Sequence, residues 1–122
     1  MITHPTSIEL LESVVRFIEE RAAPNLKDRD AFHARVAVNA LNAIKREIAA
    51  GQPAEDAQVD RLRSLLGHDG DWTSLNSELC AKIRDGEIAP TDARLLAHLK
   101  ASIIDQVRID QPQYAGLRQA GG

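Results

Sequence analysis

A histidine, an arginine and an asparagine interrupt a run of apolar residues in AFHARVAVNA, residues 31–40. A histidine can act as a general acid or base near neutral pH, and an arginine can hold an anionic group in two-point contact. Whether these side chains form one site depends on whether they share one face of a helix. A helical wheel places His33 and Arg35 about 160° apart, which assigns them to different faces.

His33 falls on the predicted inward face of this helix. Two interpretations are open: a core histidine that is hydrogen-bonded to a carbonyl or carboxylate, or an acid/base or ligand-binding group in a cleft. The residues that share this face on the wheel are all apolar, namely Ala37, Ala40, Leu41, Ile44 and Ile48.

A polar stripe occupies the opposite side of the same helix, formed by Arg35, Asn39, Asn42 and Arg46. It is either a solvated face or a surface that another chain or an anionic ligand covers. Asparagine is a poor helix former because its amide competes for backbone hydrogen bonds. Two asparagines on one stripe therefore suggest a specific contact.

Two further residues stand out near residue 80. Asn76 lies on a predicted apolar face between Trp72 and Cys80. Burying an unpaired amide costs a few kcal/mol, so Asn76 is expected to bond a helix end or a side chain. Cys80, the only cysteine, is expected to be a small core residue.

The segment GHDGDW contains His68, Asp69 and Asp71, which are residue types that bind metals. A helix stop, a turn and a helix cap account for all of them, and zinc or calcium would need more ligands at fixed spacing. No phosphate-binding loop or established catalytic motif is present. We therefore predict no metal, no cofactor and no catalytic residue.

Helical start and stop signals divide the chain into five segments. The first begins at the Thr6 cap and ends near Pro24, and the second covers about 30–50 and stops at Gly51. The third follows Pro53 and ends at Gly67. The last two begin after Asp71 and near Thr91, and the final one ends at Pro112. Because the connections are short, we predict an all-α fold, a compact bundle of four to five antiparallel helices. Residues 1–122 would form one domain, with an ordered core over about 6–113 and a flexible C-terminal tail.

Composition excludes several classes of protein. The net charge is −3 with acidic and basic residues interspersed, whereas nucleic-acid binders usually carry a basic excess. No apolar stretch approaches the length of a membrane span, and the N-terminus lacks a signal-peptide pattern. We expect a cytoplasmic protein that binds neither nucleic acid nor membrane.

Three segments carry a family resemblance: FHARVAVNAL, LNSELCAKIRDGE and LLAHLKASIIDQVRIDQPQY. They resemble a small bacterial family of unknown function whose members have a Phe-His-x-Arg-Val core, an Asn-x-x-Leu-Cys segment and an Asp-Asn-Pro-x-Tyr ending. Gln111 departs from this pattern, since asparagine is expected there. The matching positions are Phe32, His33, Arg35, Asn39, Asn76, Cys80, Asp110, Pro112 and Tyr114.

The resemblance implies a role but no chemistry. Members tend to be encoded beside, or fused to, aminoglycoside-phosphotransferase-like kinases and acyl-CoA dehydrogenases. The first hypothesis is a non-catalytic accessory domain in acyl-CoA metabolism that docks onto such a partner or self-associates. The second is a small-molecule or catalytic site near His33. The binding residues to examine are His33, Arg35, Asn39, Asn42, Asn76 and Tyr114.

Overall fold

The computed structural model describes residues 3–121, and this part of the chain is all-α, with no strand. The prediction of an all-α fold is therefore confirmed. The elements are α1 (Ser7–Phe17), a π-helical segment (Ile18–Ala22), a 3₁₀ turn (Ala23–Asn25), α2 (Asp28–Leu66), α3 (Trp72–Arg84), α4 (Ala93–Asp110) and α5 (Gly116–Gln119).

The chain divides into two compact units, Met1–Ala50 and Gly51–Gly122. The boundary between them falls within α2. None of the helices within residues 3–121 has the length and apolar content that crossing a bilayer requires.

Two of the predicted helix starts, at Thr6 and after Asp71, are confirmed by side-chain caps. The Thr6 hydroxyl accepts a hydrogen bond from the backbone N–H of Glu9 at 3.1 Å, and the Glu9 carboxylate accepts from the N–H of Thr6 at 3.0 Å. Asp71 caps α3 by accepting from the N–H of Ser74 at 2.7 Å. Each such cap contributes about 1 kcal/mol, which explains why local signals locate these ends well.

The predicted break between the second and third helices is wrong, because α2 runs without interruption through Gly51 and Pro53. A proline inside a helix removes one backbone hydrogen bond and costs about 3 kcal/mol. Side-chain contacts that span the proline favour continuation of the helix. Gln52 donates through Nε2 to Asp56 Oδ1 at 2.9 Å and to Glu55 Oε2 at 3.4 Å, contacts between residues three and four apart that a helix brings together.

The buried residues of the first unit are Val15 of α1 and Ala34 and Val38 of α2. The predicted inward face of this helix is therefore wrong: His33 is exposed, and so are Ile44 and Ile48. The buried positions begin one residue later, which turns the inward face by about 100°. The physical reason is that apolar residues surround most of this helix, so hydrophobic periodicity alone leaves the buried side undetermined.

The second unit has a closed aliphatic core of Leu62, Leu75, Leu79 and Leu95. Around it lie partly buried side chains, Val59, Leu66, Trp72, Ile83 and Ile88. The indole Nε1 of Trp72 donates to Gln58 Oε1 at 2.7 Å, which satisfies its polar atom at the edge of the core.

Two predictions about faces in the second unit are also corrected. Cys80 is exposed and is not part of the core, since α3 buries Leu75 and Leu79 instead. On α4, hydrophobic periodicity predicts that Leu96, Leu99 and Ile103 point inward with Leu95, but these three are exposed. The inward positions of α4 are Leu95, His98 and Ile109. The short helix α5, which buries Leu117, was not predicted.

Candidate functional site

The first unit contains an open cleft of about 320 Å³. One wall comes from α2 and the other from the irregular turns that follow α1. The cleft is lined mainly by apolar side chains, with three polar groups among them. The lining residues are Glu19, Ala23, Phe32, Ala34, Arg35, Val36, Val38 and Asn39.

The π-helical segment and the 3₁₀ turn place Glu19 and Ala23 at the cleft. The side-chain amide of Asn25 donates to the carbonyl of Arg21 at 2.7 Å and so ties the two turns together. Single π-helical turns are rare and occur often at functional sites, because the wider turn re-aims the side chains on it. Here the wider turn supplies the acidic group of the cleft.

Arg35 and Phe32 form the polar-aromatic part of the cleft. The guanidinium carbon of Arg35 lies 5.9 Å from the centre of the Phe32 ring, a cation–π contact. Contacts of this kind contribute about 0.5–1 kcal/mol at exposed positions. Within residues 3–121, Arg35 makes no ion pair with a carboxylate, so its hydrogen-bond donors remain available to an incoming acceptor.

The predicted polar stripe is divided by the structure. Arg35 and Asn39 are exposed and both line the cleft, whereas Asn42 and Arg46 are half-buried and do not line it. His33 is also absent from the lining. Its ring meets Phe32 edge-on, with centroids 5.7 Å apart. The cleft therefore contains two members of the stripe but not the candidate acid/base.

The other two predicted binding residues belong to the second unit and do not line the cleft. Asn76 is half-buried on α3, and no hydrogen bond joins its amide to another residue of the described chain. The pairing expected for Asn76 is thus absent. Tyr114 is exposed in the turn before α5, where its ring packs against Gly116.

Comparison with known proteins gives one result. A family model, the Domain of unknown function DUF6285, matches residues 24–114, which is most of the chain. The chain belongs to the DUF6285 family. This confirms the resemblance to an uncharacterised domain family. No curated protein and no solved structure matches the DUF6285 chain. The matched range includes every residue that lines the cleft except Glu19 and Ala23.

One buried polar group of this DUF6285 chain, His98, lies on a helix flank that the hydrophobic pattern assigns to the surface. His98 is buried on α4, and its Nδ1 accepts a hydrogen bond from Nε of Arg61 at 3.1 Å. Burial, and then the charge of Arg61, lower the pKa of His98 below its usual value. The spacing along α4 indicates that His98 faces inward. His98 follows Leu95 by three residues and precedes Ser102 by four, which puts all three on one face of the helix.

The GHDGDW loop of the DUF6285 chain is held by internal contacts. His68 Nε2 lies 2.8 Å from Glu78, Asp69 pairs with Arg63, and Asp71 caps α3. Among residues 3–121 no group of three or more His, Cys, Asp or Glu side chains is arranged to hold a metal ion. The side chains of this loop therefore have structural partners.

His68 gives a pH-dependent prediction. The backbone carbonyl of Asp69, 2.8 Å from Nδ1, and then the Glu78 carboxylate raise the pKa of His68 above 6.5. We expect an NMR titration of the His68 ring to have its midpoint above 6.5. Glu78→Gln should lower this pKa, whereas Glu55→Gln, which neutralises a carboxylate elsewhere in the unit, should leave it unchanged.

The sign of the effect on stability follows from the raised pKa. Protonated His68 stabilises the folded state, so its contribution is complete below the unfolded pKa near 6.5 and is lost as the pH rises through the folded value. The unfolding free energies of the parent and of His68→Gln should therefore converge at high pH. A difference that widens with rising pH would contradict this assignment.

Proposed function

We propose that this DUF6285 domain is a non-catalytic, cytoplasmic docking domain that binds a protein partner through the cleft of the first unit. The observation that supports the proposal is the exposure of Phe32 and Val36, at 53% and 46%, on either side of Arg35. Both apolar residues line the cleft and lie four residues apart on one face of α2. An aromatic ring and an unpaired arginine together are a typical centre of a protein interface.

The scarcity of buried residues in the first unit agrees with docking. Its buried side chains are Val15, Ala34 and Val38, while the unit leaves larger apolar residues exposed. A scattered exposed apolar side chain is ordinary, but a contiguous apolar surface rimmed by polar groups marks a binding surface. The exposed large apolar residues of this unit are Leu10, Val14, Phe17, Leu26, Phe32, Val36, Ile44 and Ile48.

The lining chemistry indicates what the partner presents. At about 320 Å³ the cleft is at the lower end of the range of small-molecule pockets, about 300–1,000 Å³, and suits one or two large side chains. Arg35 offers donors for a carboxylate, and Glu19 offers an acceptor for a cation. We therefore infer a partner segment with an apolar side chain next to an acidic residue.

The partner class follows from the resemblance. We propose a phosphotransferase-like kinase or an acyl-CoA dehydrogenase of acyl-CoA metabolism, and self-association is the alternative. The competing hypothesis of a catalytic site at His33 gains no observation in its favour. A general acid or base must reach the reacting group, and His33 does not line the cleft.

Co-purification tests this proposal. The tagged chain is mixed in turn with a purified phosphotransferase-like kinase and a purified acyl-CoA dehydrogenase. Co-purification reports binding and calorimetry gives the dissociation constant, while light scattering of the chain alone reports self-association. Arg35→Gln and Val36→Ser should each weaken binding about tenfold or more, the effect of losing about 1.4 kcal/mol.

Arg29→Gln is the matched control, because Arg29 is exposed on the same helix and does not line the cleft. It removes the same charge as Arg35→Gln and should leave binding unchanged. If neither enzyme binds and the chain stays monomeric, or if Arg29→Gln weakens binding as much as Arg35→Gln, the docking proposal is wrong.

A further inference from the structure

The second unit contains an open surface cavity of about 210 Å³, smaller than the cleft of the first unit and lined in part by two arginines. It lies between the last part of α2 and the first part of α4, within the second unit. Two arginines and a histidine contribute to its wall. The lining residues are Arg61, Ser64, Leu65, Arg94, Ala97 and His98.

Both guanidinium groups are oriented by neutral acceptors. Arg61 donates through Nε to His98 Nδ1 at 3.1 Å and through Nη2 to Ser102 Oγ at 3.0 Å. Arg94 donates through Nη2 to the Ser64 carbonyl at 2.5 Å and to its hydroxyl at 3.3 Å. These contacts fix the side chains and use only part of their N–H donors.

Neither arginine is neutralised by a carboxylate. Within the described range, the ion pairs of the second unit's arginines are those of Arg63 and Arg108, and Arg61 and Arg94 form none. His98 accepts from Arg61 through Nδ1, so its ring is neutral and adds no charge of its own to the cavity. Arg94 is exposed and Arg61 is half-buried, so the N–H donors that these contacts leave free are accessible to an anion from solution.

We propose that this cavity binds a phosphate group, held between the guanidinium groups of Arg61 and Arg94. Arginine matches phosphate geometry with paired charge-assisted hydrogen bonds, and a dianion is favoured where two guanidinium groups line one cavity. The volume lies below the range for drug-sized ligands, so the cavity holds an anionic group rather than a whole cofactor. The Ser64 hydroxyl, which already accepts from Arg94, can donate to the same anion. The ligand is inorganic phosphate or the phosphate of a small phosphorylated molecule.

Titration with inorganic phosphate, followed by NMR of the arginine Nε–H and His98 ring signals, tests the proposal. We expect saturable shifts at Arg61, Arg94 and His98. Arg94→Gln should weaken phosphate binding about tenfold or more, since it removes a charge-assisted hydrogen bond to the anion. Glycerol phosphate is titrated in parallel. Tighter binding of the ester identifies a phosphorylated molecule as the ligand, and equal binding identifies the free anion.

Arg108→Gln is the matched control, because Arg108 lies on α4, is exposed and does not line the cavity. It removes the same charge as Arg94→Gln and should leave phosphate binding nearly unchanged at constant ionic strength. Arg61→Gln also removes a partner of buried His98, so Arg94→Gln decides the test if that variant fails to fold. Shifts that do not saturate, or equal losses in Arg94→Gln and Arg108→Gln, would overturn the proposal.

Discussion

Replacing Leu62 by alanine is expected to lower the free energy of unfolding by about 2–5 kcal/mol. Leu62 is fully buried, at 0% exposure, and packs in the closed core with Leu75, Leu79 and Leu95. Alanine removes apolar contacts and leaves a cavity that the three neighbouring leucines can fill only in part. The measurement is denaturant unfolding followed by circular dichroism and by the fluorescence of Trp72.

Leu99→Ala provides the control for this prediction. It removes the same atoms from α4, but Leu99 is 40% exposed and lies outside the core. Its effect should stay below about 1 kcal/mol, because surface substitutions away from packed or polar networks change stability little. Equal losses in the two variants would show that Leu62 is not at the centre of the core.

The second large effect is expected from the hydrogen-bonded pair of half-buried Arg61 and buried His98. Arg61→Met should cost about 1–3 kcal/mol, because it leaves Nδ1 of buried His98 without a donor. Replacing both partners, with Arg61→Met and His98→Leu together, removes the polar atoms on both sides of the bond. The double variant should therefore be more stable than the sum of the single effects predicts.

A double-mutant cycle measures this coupling. The unfolding free energies of the parent, Arg61→Met, His98→Leu and the double variant should give a coupling energy of about 0.5–3 kcal/mol. A matched cycle on the surface pair Asp105 and Arg108, 3.7 Å apart, should give less than about 1 kcal/mol. Strict additivity of the Arg61 and His98 effects would mean that their hydrogen bond contributes nothing specific.

Helix ends could be predicted from the sequence where the signal is local. Thr6 with Glu9, and Asp71 with Ser74, are neighbours in the chain, and the hydrogen bonds that they make depend on little else. Pro53 shows the limit of this approach. A proline destabilises a helix by a limited free energy and does not necessarily end it. Whether the helix continues depends on the contacts made on both sides of the proline.

Helix faces could not be predicted in the same way. Around His33 most of the wheel is apolar, so the choice between burying His33 and burying Ala34 depends on what packs against the helix. The same is true of α4, where the polar residue His98 is buried and the apolar residue Ile103 is exposed, the opposite of what hydropathy predicts. Burial is a property of pairs of elements, and periodicity describes one element at a time.

The candidate sites could be predicted from the sequence only where local features determine them. The exposure of Arg35 and Asn39 could be predicted, because both lie on a stripe with polar neighbours. Their cleft could not, since it requires the π-helical segment that brings Glu19 to α2. The cavity of Arg61 and Arg94 joins residues more than thirty positions apart, which no local pattern indicates.

The exposed position of Cys80 has a practical consequence for all of these experiments. It is the only cysteine and Trp72 the only tryptophan, and both lie on α3. Eight residues of helix separate them by about 12 Å along the axis, which is within the range of energy transfer to a small dye. A maleimide acceptor on Cys80 thus gives a single labelled distance within α3, and unfolding of this helix can be followed by fluorescence in the native sequence.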